Sequence, residues 1–285
     1  DLIPVRPTQH YSMGGVRVNK DGEAYNLAGL YAAGEAACWD MHGFNRLGGN
    51  SLAETIVAGR IVGRSVAAHA AGFSLDAKTG LAFEATRHAE ARVEEWLGRN
   101  GDGPGVYELR DAMATTMMDK VGIFRTGEEL QEGVDRLRAL LTDCDRAVLR
   151  SKAPGMNPEL TFALRLKSMM RLALVTAEGA MARTESRGAH FRTDYPLRND
   201  AEWLNRTLVR WPIDAPEPNY SYEPVGLIDL PPGHRGYGSD ERIELTVSVD
   251  DYNTDVDAKQ REHGKLDTVD PIGSRIQWGA WEQAV

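Results

Sequence analysis

His42-Gly43-Phe44-Asn45-Arg46-Leu47-Gly48-Gly49-Asn50-Ser51-Leu52-Ala53-Glu54 is a polar, glycine-rich run carrying one guanidinium. It feeds directly into an apolar helical pattern at Leu52, Ile56, Gly59 and Gly63. Asn50 or Ser51 is placed to cap that helix. A helix start of this kind suits an anion. Its first backbone N–H groups lack intrahelical acceptors, the helix dipole is positive there, and adjacent glycines let a flat or charged ligand come close to the backbone. Arg46 adds a planar fork suited to a carboxylate or phosphate. Taken alone, Gly-Gly-Asn-Ser before a helix is more often an ordinary cap beside a surface arginine, so the meaning of the stretch depends on its surroundings.

Upstream, Val16-Arg17-Val18 and Leu30-Tyr31-Ala32 suit strands, and Asp21-Gly22 marks a hairpin turn after the first. Gly34-Glu35 falls where the second strand would end. In an open α/β sheet, a carboxylate at that place holds nucleotide or ribityl hydroxyls; standing alone, it is a solvated loop residue. His10 lies beside Met13-Gly14-Gly15, a turn able to bring backbone close to a ring, although an isolated loop histidine more often only packs.

Downstream of Gly72 the pattern becomes helical. Residues 81–97 (Ala85, Ala89, Val93, Trp96) and 107–120 (Leu109, Met113, Met117) each show one apolar face. Leu130, Val134, Leu137, Leu141, Cys144 and Val148 extend a third helix over 127–149. Asn157-Pro158 supplies a cap and a first-turn proline for a helix running to about Arg183, with Leu160, Leu164, Met170, Leu174 and Met181 in the core. Core packing also accounts for Met113, Met117, Met118, Met169 and Met170. Gly188 is a candidate C-cap for that helix, and taken alone Glu185-Ser186-Arg187 reads as a capped terminus with solvated charges. Beyond Asp200, Leu208-Val209-Arg210-Trp211 and Ile243–Val249 alternate as strands, and the tail from Tyr252 is weakly patterned.

The fold class expected is therefore α+β: the closing part of an α/β domain (1–71), a helical bundle (72–200), and a small mixed C-terminal module with tail (201–285). The 285 residues, 42% hydrophobic and 26% charged, suffice for such cores. A formal net charge of -9 argues against nucleic-acid binding. No apolar run is long enough to cross a bilayer, so no direct membrane insertion is expected. Cys38 and Cys144 are far apart and form no metal-ligand spacing; no metal site is expected.

The surroundings decide the central stretch. Pro4-Val5-Arg6-Pro7-Thr8-Gln9-His10-Tyr11-Ser12-Met13-Gly14-Gly15, Gly29-Leu30-Tyr31-Ala32-Ala33-Gly34-Glu35-Ala36 and His42–Glu54 together resemble, in residues, order and spacing, the flavoprotein subunits of succinate dehydrogenases and fumarate reductases. Glu185–Arg192 with Asp194-Tyr195-Pro196 extends the resemblance to about Asp200. The wording from Ala36 to Phe44 is most similar to quinol:fumarate reductases with a dihaem membrane anchor, Phe44 standing where most relatives carry a small residue.

The resemblance implies FAD as cofactor and fumarate/succinate interconversion as activity. It matches Arg46 to the arginine that grips a substrate carboxylate and His10 to the histidine that hydrogen-bonds it, both bordering the flavin. Tyr11 lies beside the flavin, and Glu35 matches its binding glutamate. Leu47, Gly48, Gly49, Asn50, Ser51 and Leu52 match the loop holding the isoalloxazine, whose N1/C2 edge would face the helix start. Reduced flavin carries negative charge at that edge. It further implies an iron–sulfur subunit, a cytochrome b-type membrane anchor bearing haem, and a peripheral place on the cytoplasmic side of a bacterial inner membrane.

Glu185–His190 would have a structural or docking role. No Gly-x-Gly-x-x-Gly turn occurs, so the phosphate-binding turn, the covalent flavin histidine and the proton-donating arginine are expected outside this chain, read as the C-terminal part of a longer polypeptide. Two rivals stand beside this reading: an L-aspartate oxidase-like soluble flavoenzyme, which departs from Leu47-Gly48-Gly49, and a flavin-free assembly or interaction module.

Overall fold

The structure is a computed structural model describing Ile3 and residues 10–25, 27–72, 79–153, 155–212 and 214–225. The expected strand at 243–249 and the tail lie outside the described residues. The chain mixes α and β structure and forms two compact units: residues 79–186 with 190–197, and residues 10–72 with 187–189 and 198–225. Packing thus groups the described residues beyond 200 with the N-terminal segment.

The helical unit is built on α2 (Thr79–Gly98), α3 (Val106–Lys120), α4 (Gly127–Asp143) and α5 (Pro158–Ala182). Their starts follow from local chemistry. Thr126 accepts from the Glu129 N–H to cap α4, and Asn157 accepts from Leu160 N at 3.0 Å ahead of Pro158 to cap α5. The Gly105 N–H ahead of α3 donates to Glu108 at 2.9 Å. Val106, Leu109, Leu130, Val134, Leu137, Leu140, Leu166, Met170 and Leu174 form the core. Of the apolar face expected on α2, only Trp96 is buried; Ala85 and Ala89 are exposed.

One helix end and one cap differ from expectation. α4 stops at Asp143, a 3₁₀ turn follows over Cys144–Arg146, and Val148 then leaves the helix to donate to Pro104 O at 3.0 Å. α5 stops at Ala182 with Arg183 in extended backbone, so Gly188 is not its cap.

The charges beyond α5 are also not solvated. Arg183, Glu185, His190 and Arg192 are 3%, 0%, 4% and 2% exposed. They meet β3 (Phe124–Arg125), which pairs in parallel with β4 (Phe191–Arg192). Arg183 pairs with Glu185 at 2.8 Å. Arg125 donates to His190 Nδ1 at 2.8 Å, and His190 Nε2 lies 3.3 Å from the Arg183 carbonyl, an arrangement that suits neutral imidazole with the proton on Nε2. Burial first, then the Arg125 guanidinium, push the His190 pKa down to about 4.

A histidine held below its ordinary value leaves the folded state binding fewer protons than the unfolded one. Its stability cost is absent above the unfolded pKa and grows as pH falls toward the folded one. Acidifying from pH 7 to pH 4 should therefore cost on the order of 3 kcal/mol at this site. Denaturation of the wild type and of His190→Gln across that range should show a flatter profile in the variant; parallel profiles would refute the assignment.

In the second unit, β1 (Val16–Arg17) pairs in parallel with β2 (Ala37–Cys38), which follows the Gly34–Ala36 turn instead of preceding it. The hairpin expected at Asp21-Gly22 forms, with a bridge from Val18 to Ala24 and Asn19 Oδ1 accepting from the N–H groups of Asp21 and Glu23. Gly22 is required there: its φ is +80°, and a Cβ would come within 2.1 Å of Val62.

The helix α1 (Asn50–Ala71) packs Ala58, Ile61 and Val62 onto Val18, Ala37 and Trp39. Its expected apolar stripe points elsewhere, for Leu52 and Ile56 are 67% and 66% exposed. After the short α6 (Asp200–Trp203), an antiparallel ribbon of β5 (Asn205–Arg210) and β6 (Asn219–Pro224) joins this unit through charge. Glu223 on β6 pairs with Arg17 on β1, and Arg206 on β5 reaches Asp40 at 2.9 Å.

Candidate active site

The loop before α1 ends in Gly49 at φ +81°, ψ −23°, with no side-chain cap. The left-handed glycine therefore takes the place expected for Asn50 or Ser51, both of which lie inside the first turn. No acidic residue stands in that turn, so the positive end of a 22-residue helix has no carboxylate of its own in its first turn. A Cβ at Gly43, Gly48 or Gly49 would meet no atom within 4 Å. Leu47 is 75% exposed. The stretch Leu47 to Leu52 is thus an open, glycine-lined surface at a helix N-terminus.

Arg46 is held at the edge of that surface. Its Nη2 donates to His10 Nδ1 at 2.8 Å, and its guanidinium carbon lies 4.5 Å from the Tyr11 ring centroid. With Nδ1 accepting, His10 carries its proton on Nε2, a donor at an exposed position. The Arg46 Nε is buried with no hydrogen-bond partner among the described residues. A buried, orphaned guanidinium donor is costly without an acceptor. An anion is the chemistry that would satisfy such a fork.

Tyr11 is fixed from below. Its hydroxyl donates to Glu54 Oε2 at 3.2 Å, and His42 Nε2 lies 3.3 Å from the same oxygen. Burial and then the Glu54 carboxylate raise the phenol pKa, so the hydroxyl keeps its proton. Glu35 sits apart on the Gly34–Ala36 turn, exposed, accepting the Ser12 N–H at 2.6 Å. Gly15, at φ +130°, makes that approach possible, because a Cβ there would fall 2.5 Å from the Ala36 carbonyl oxygen.

The structure therefore brings His10, Tyr11 and Arg46 into mutual contact at the start of α1 and places Glu35 on the adjoining turn. Glu54 and His42, which carry no role in the sequence pattern, hold the Tyr11 hydroxyl side of the site. The available signal was an acidic residue four positions before Ala58, on the side of α1 that packs inward. Gly188, at φ +59°, lets its backbone approach Phe44, whose Cβ would be 2.9 Å from a Cβ at that glycine. Among the described residues, no group of His, Cys, Asp and Glu could hold a metal ion.

These residues fit a flavin. The fork with an orphaned donor, the open glycines and the uncapped helix start are the features that an electron-rich ring edge and a carboxylated substrate would occupy together.

Comparison with known proteins shows which family the chain resembles. A profile described as the FAD binding domain matches residues 1–52, and one described as fumarate reductase flavoprotein C-term matches residues 110–237. The chain is 45% identical over 245 residues to the fumarate reductase flavoprotein subunit of Helicobacter pylori, covering 83% of this chain and 33% of that protein. It is 41% identical over 241 residues to the subunit of the same name in Mycobacterium tuberculosis, covering 84% and 41%.

Among solved structures it resembles an Escherichia coli quinol fumarate reductase at 35% identity and TM-score 0.72, covering 81% of this chain and 39% of that one. It also resembles Mycobacterium smegmatis Sdh1 in complex with UQ1, at 32% identity and TM-score 0.66, covering 75% and 35%. The chain thus spans between a third and about two fifths of the length of these curated relatives, by the 33% and 41% coverage.

Proposed function

Because this chain belongs to the fumarate reductase/succinate dehydrogenase flavoprotein family, we propose that it supplies the carboxylate grip and the ring-proximal loop of an FAD-dependent enzyme interconverting fumarate and succinate. The observation that carries this reading is the Arg46 guanidinium, braced by His10 and Tyr11 and keeping a buried donor unpartnered beside an uncapped helix start. FAD, when bound, supplies the hydride.

The chain's own residues bind and orient. Arg46 and His10 Nε2–H hold one carboxylate of the dicarboxylate. Leu47, Gly48, Gly49, Asn50, Ser51 and Leu52 present backbone to the ring, Tyr11 flanks it, and Glu35 takes a hydroxyl of the cofactor chain. The N-terminus of α1 stabilises negative charge where the reduced ring accumulates it. Held this way, the substrate loses rotational freedom before the chemical step, which is the protein's main contribution to rate.

The relatives named fumarate reductase support operation in the reducing direction. We assign electron delivery to an iron–sulfur subunit and a cytochrome b-type anchor at the cytoplasmic side of a bacterial inner membrane. The likeness to a quinol fumarate reductase and to an Sdh1 complexed with UQ1 supports that assignment. Among the described residues no helix is long and apolar enough to cross a membrane, which is compatible with attachment through a partner.

The test is steady-state turnover of the native complex with fumarate and a low-potential quinol, beside succinate with a high-potential quinone. His10→Ala removes one hydrogen bond to a charged group. It should lower kcat/KM for the dicarboxylate by the equivalent of about 1.5–3 kcal/mol, with flavin content preserved. Unchanged kinetics in that variant would overturn the role of His10. Oxaloacetate formation from aspartate without other subunits would overturn the dicarboxylate reading in favour of an aspartate oxidase.

A further inference from the structure

Glu54 has no place in the chemistry just described, yet its carboxylate is buried beneath the site. It is 5% exposed, on α1 one turn beyond the helix start at Asn50. One oxygen receives Tyr11 and approaches His42; the other, Oε1, is buried with no hydrogen-bond partner among the described residues. A leucine here would spare the fold a half-satisfied buried carboxylate, which costs stability. Such a cost points to a function elsewhere.

The neighbours show what that function is. Tyr11 and His42 come from two loops that carry the ligand-facing groups, residues 10–15 and 42–49. Neither loop has a strand ladder at the site. Their side chains meet on Glu54 Oε2 and each other, with the two rings edge to face at 6.5 Å. Tyr11 in turn supports the Arg46 guanidinium, and Arg46 holds His10. The chain of contacts runs from α1 through Glu54 to Tyr11, then to Arg46 and His10.

We propose that Glu54 is a positioning residue: its carboxylate anchors Tyr11 and His42 on α1 and thereby sets the plane and depth of the Arg46 fork against a dicarboxylate. The role depends on hydrogen-bond acceptance at a fixed point. A glutamine, which keeps an acceptor oxygen for Tyr11 and the same shape, therefore preserves it, whereas an apolar side chain abolishes it. The proposal rests on the dicarboxylate reading of Arg46.

The experiment uses the holoenzyme and malonate, a dicarboxylate that cannot be reduced. Affinity is measured by titration calorimetry, beside kcat/KM and the unfolding temperature. Glu54→Leu should weaken malonate and lower kcat/KM by roughly 10-fold to 100-fold, because misplacement of a positioning contact has that scale. Its unfolding temperature should stay level or rise.

Tyr11→Phe, which keeps the ring and loses the hydroxyl, should reproduce most of the loss, and the double variant should be no worse than the poorer single one. Glu54→Gln should bind malonate within about threefold of wild type.

Wild-type affinity in Glu54→Leu overturns the proposal, as does a Glu54→Gln as weak as Glu54→Leu. If Glu54→Leu does not fold, a Tyr11→Phe with wild-type affinity overturns it equally. Loss of malonate in Arg46→Lys with none in Glu54→Leu rejects the positioning role alone. A wild-type holoenzyme that binds no malonate rejects the dicarboxylate reading and this proposal with it.

Discussion

Arg46→Lys should lower kcat/KM for fumarate by two to four orders of magnitude while the flavin content of the complex stays near that of the wild type. Lysine keeps the positive charge, so long-range attraction for a dianion survives. What it loses is geometry. The guanidinium contacts His10 and lies over the Tyr11 ring at the same time, and its buried Nε is a further donor. A single ammonium on a flexible stem cannot reproduce that set.

Two charge-assisted hydrogen bonds lost at about 1.5–3 kcal/mol each account for the expected range. The loss should fall on kcat as well as on KM, because an unclamped carboxylate also lets the reacting carbons drift. Flavin content is the internal control: α1 and the glycine loop are untouched, so a variant that lost both flavin and turnover would have disturbed the loop instead. Near-wild-type kinetics would refute the carboxylate role of Arg46.

Sequence and structure agree where the determining interactions are local. Asn157-Pro158 specified the start of α5 because the cap and the first-turn proline act within three residues. Asp21-Gly22 specified a turn for the same reason. Agreement ends where distant contacts decide. The alternating apolar pattern carried α4 onward through Cys144 and Val148, but the chain leaves the helix because Val148 pairs beside Gly105, more than forty residues earlier.

Leu52 and Ile56 form an apolar stripe, yet it is Ala58, Ile61 and Val62 that find partners. Periodicity identifies a helix and cannot say which side is covered. The capping rule placed Asn50 or Ser51 at the start of α1, whereas a left-handed Gly49 leaves the helix terminus uncapped by side chains. That departure falls at the candidate site, where a local rule is most readily overridden by function.

The charged segment after α5 was the least legible, and its arginine sets the largest stability effect expected in the helical unit. Arg192 is 2% exposed, and its Nη1 donates to three carbonyls at the end of α5: Ala180 at 3.2 Å, Met181 at 2.9 Å and Arg183 at 3.4 Å. Its other face forms a two-point pair with Asp194, both contacts at 2.7 Å, which helps hold that carboxyl down at about 2. One side chain therefore closes the C-terminus of α5 and ties it to the strand pair β3–β4.

Arg192→Met keeps much of the apolar stem but removes the donor from the Ala180 and Met181 carbonyls and leaves Asp194 only the Gly127 N–H and solvent. Unfolding free energy should fall by about 2–5 kcal/mol, the scale of leaving two backbone acceptors without their donor at about 1–3 kcal/mol each. Relief of Arg125 works against that loss, since Arg192 contributes to lowering its pKa. Asp194→Asn should cost clearly less, because the Asp194 side chain is 34% exposed and water replaces part of what it gives up.

Denaturant titration at pH 7 of both variants decides between two accounts. A loss near or below 1 kcal/mol in Arg192→Met would make the arginine a bystander to helix packing. A loss equal in the two variants would place the whole effect in the ion pair and none in the carbonyls. The expected inequality follows from the geometry: the aspartate neutralises the guanidinium, while the guanidinium also serves carbonyls of the last turn of α5, whose terminus is negative.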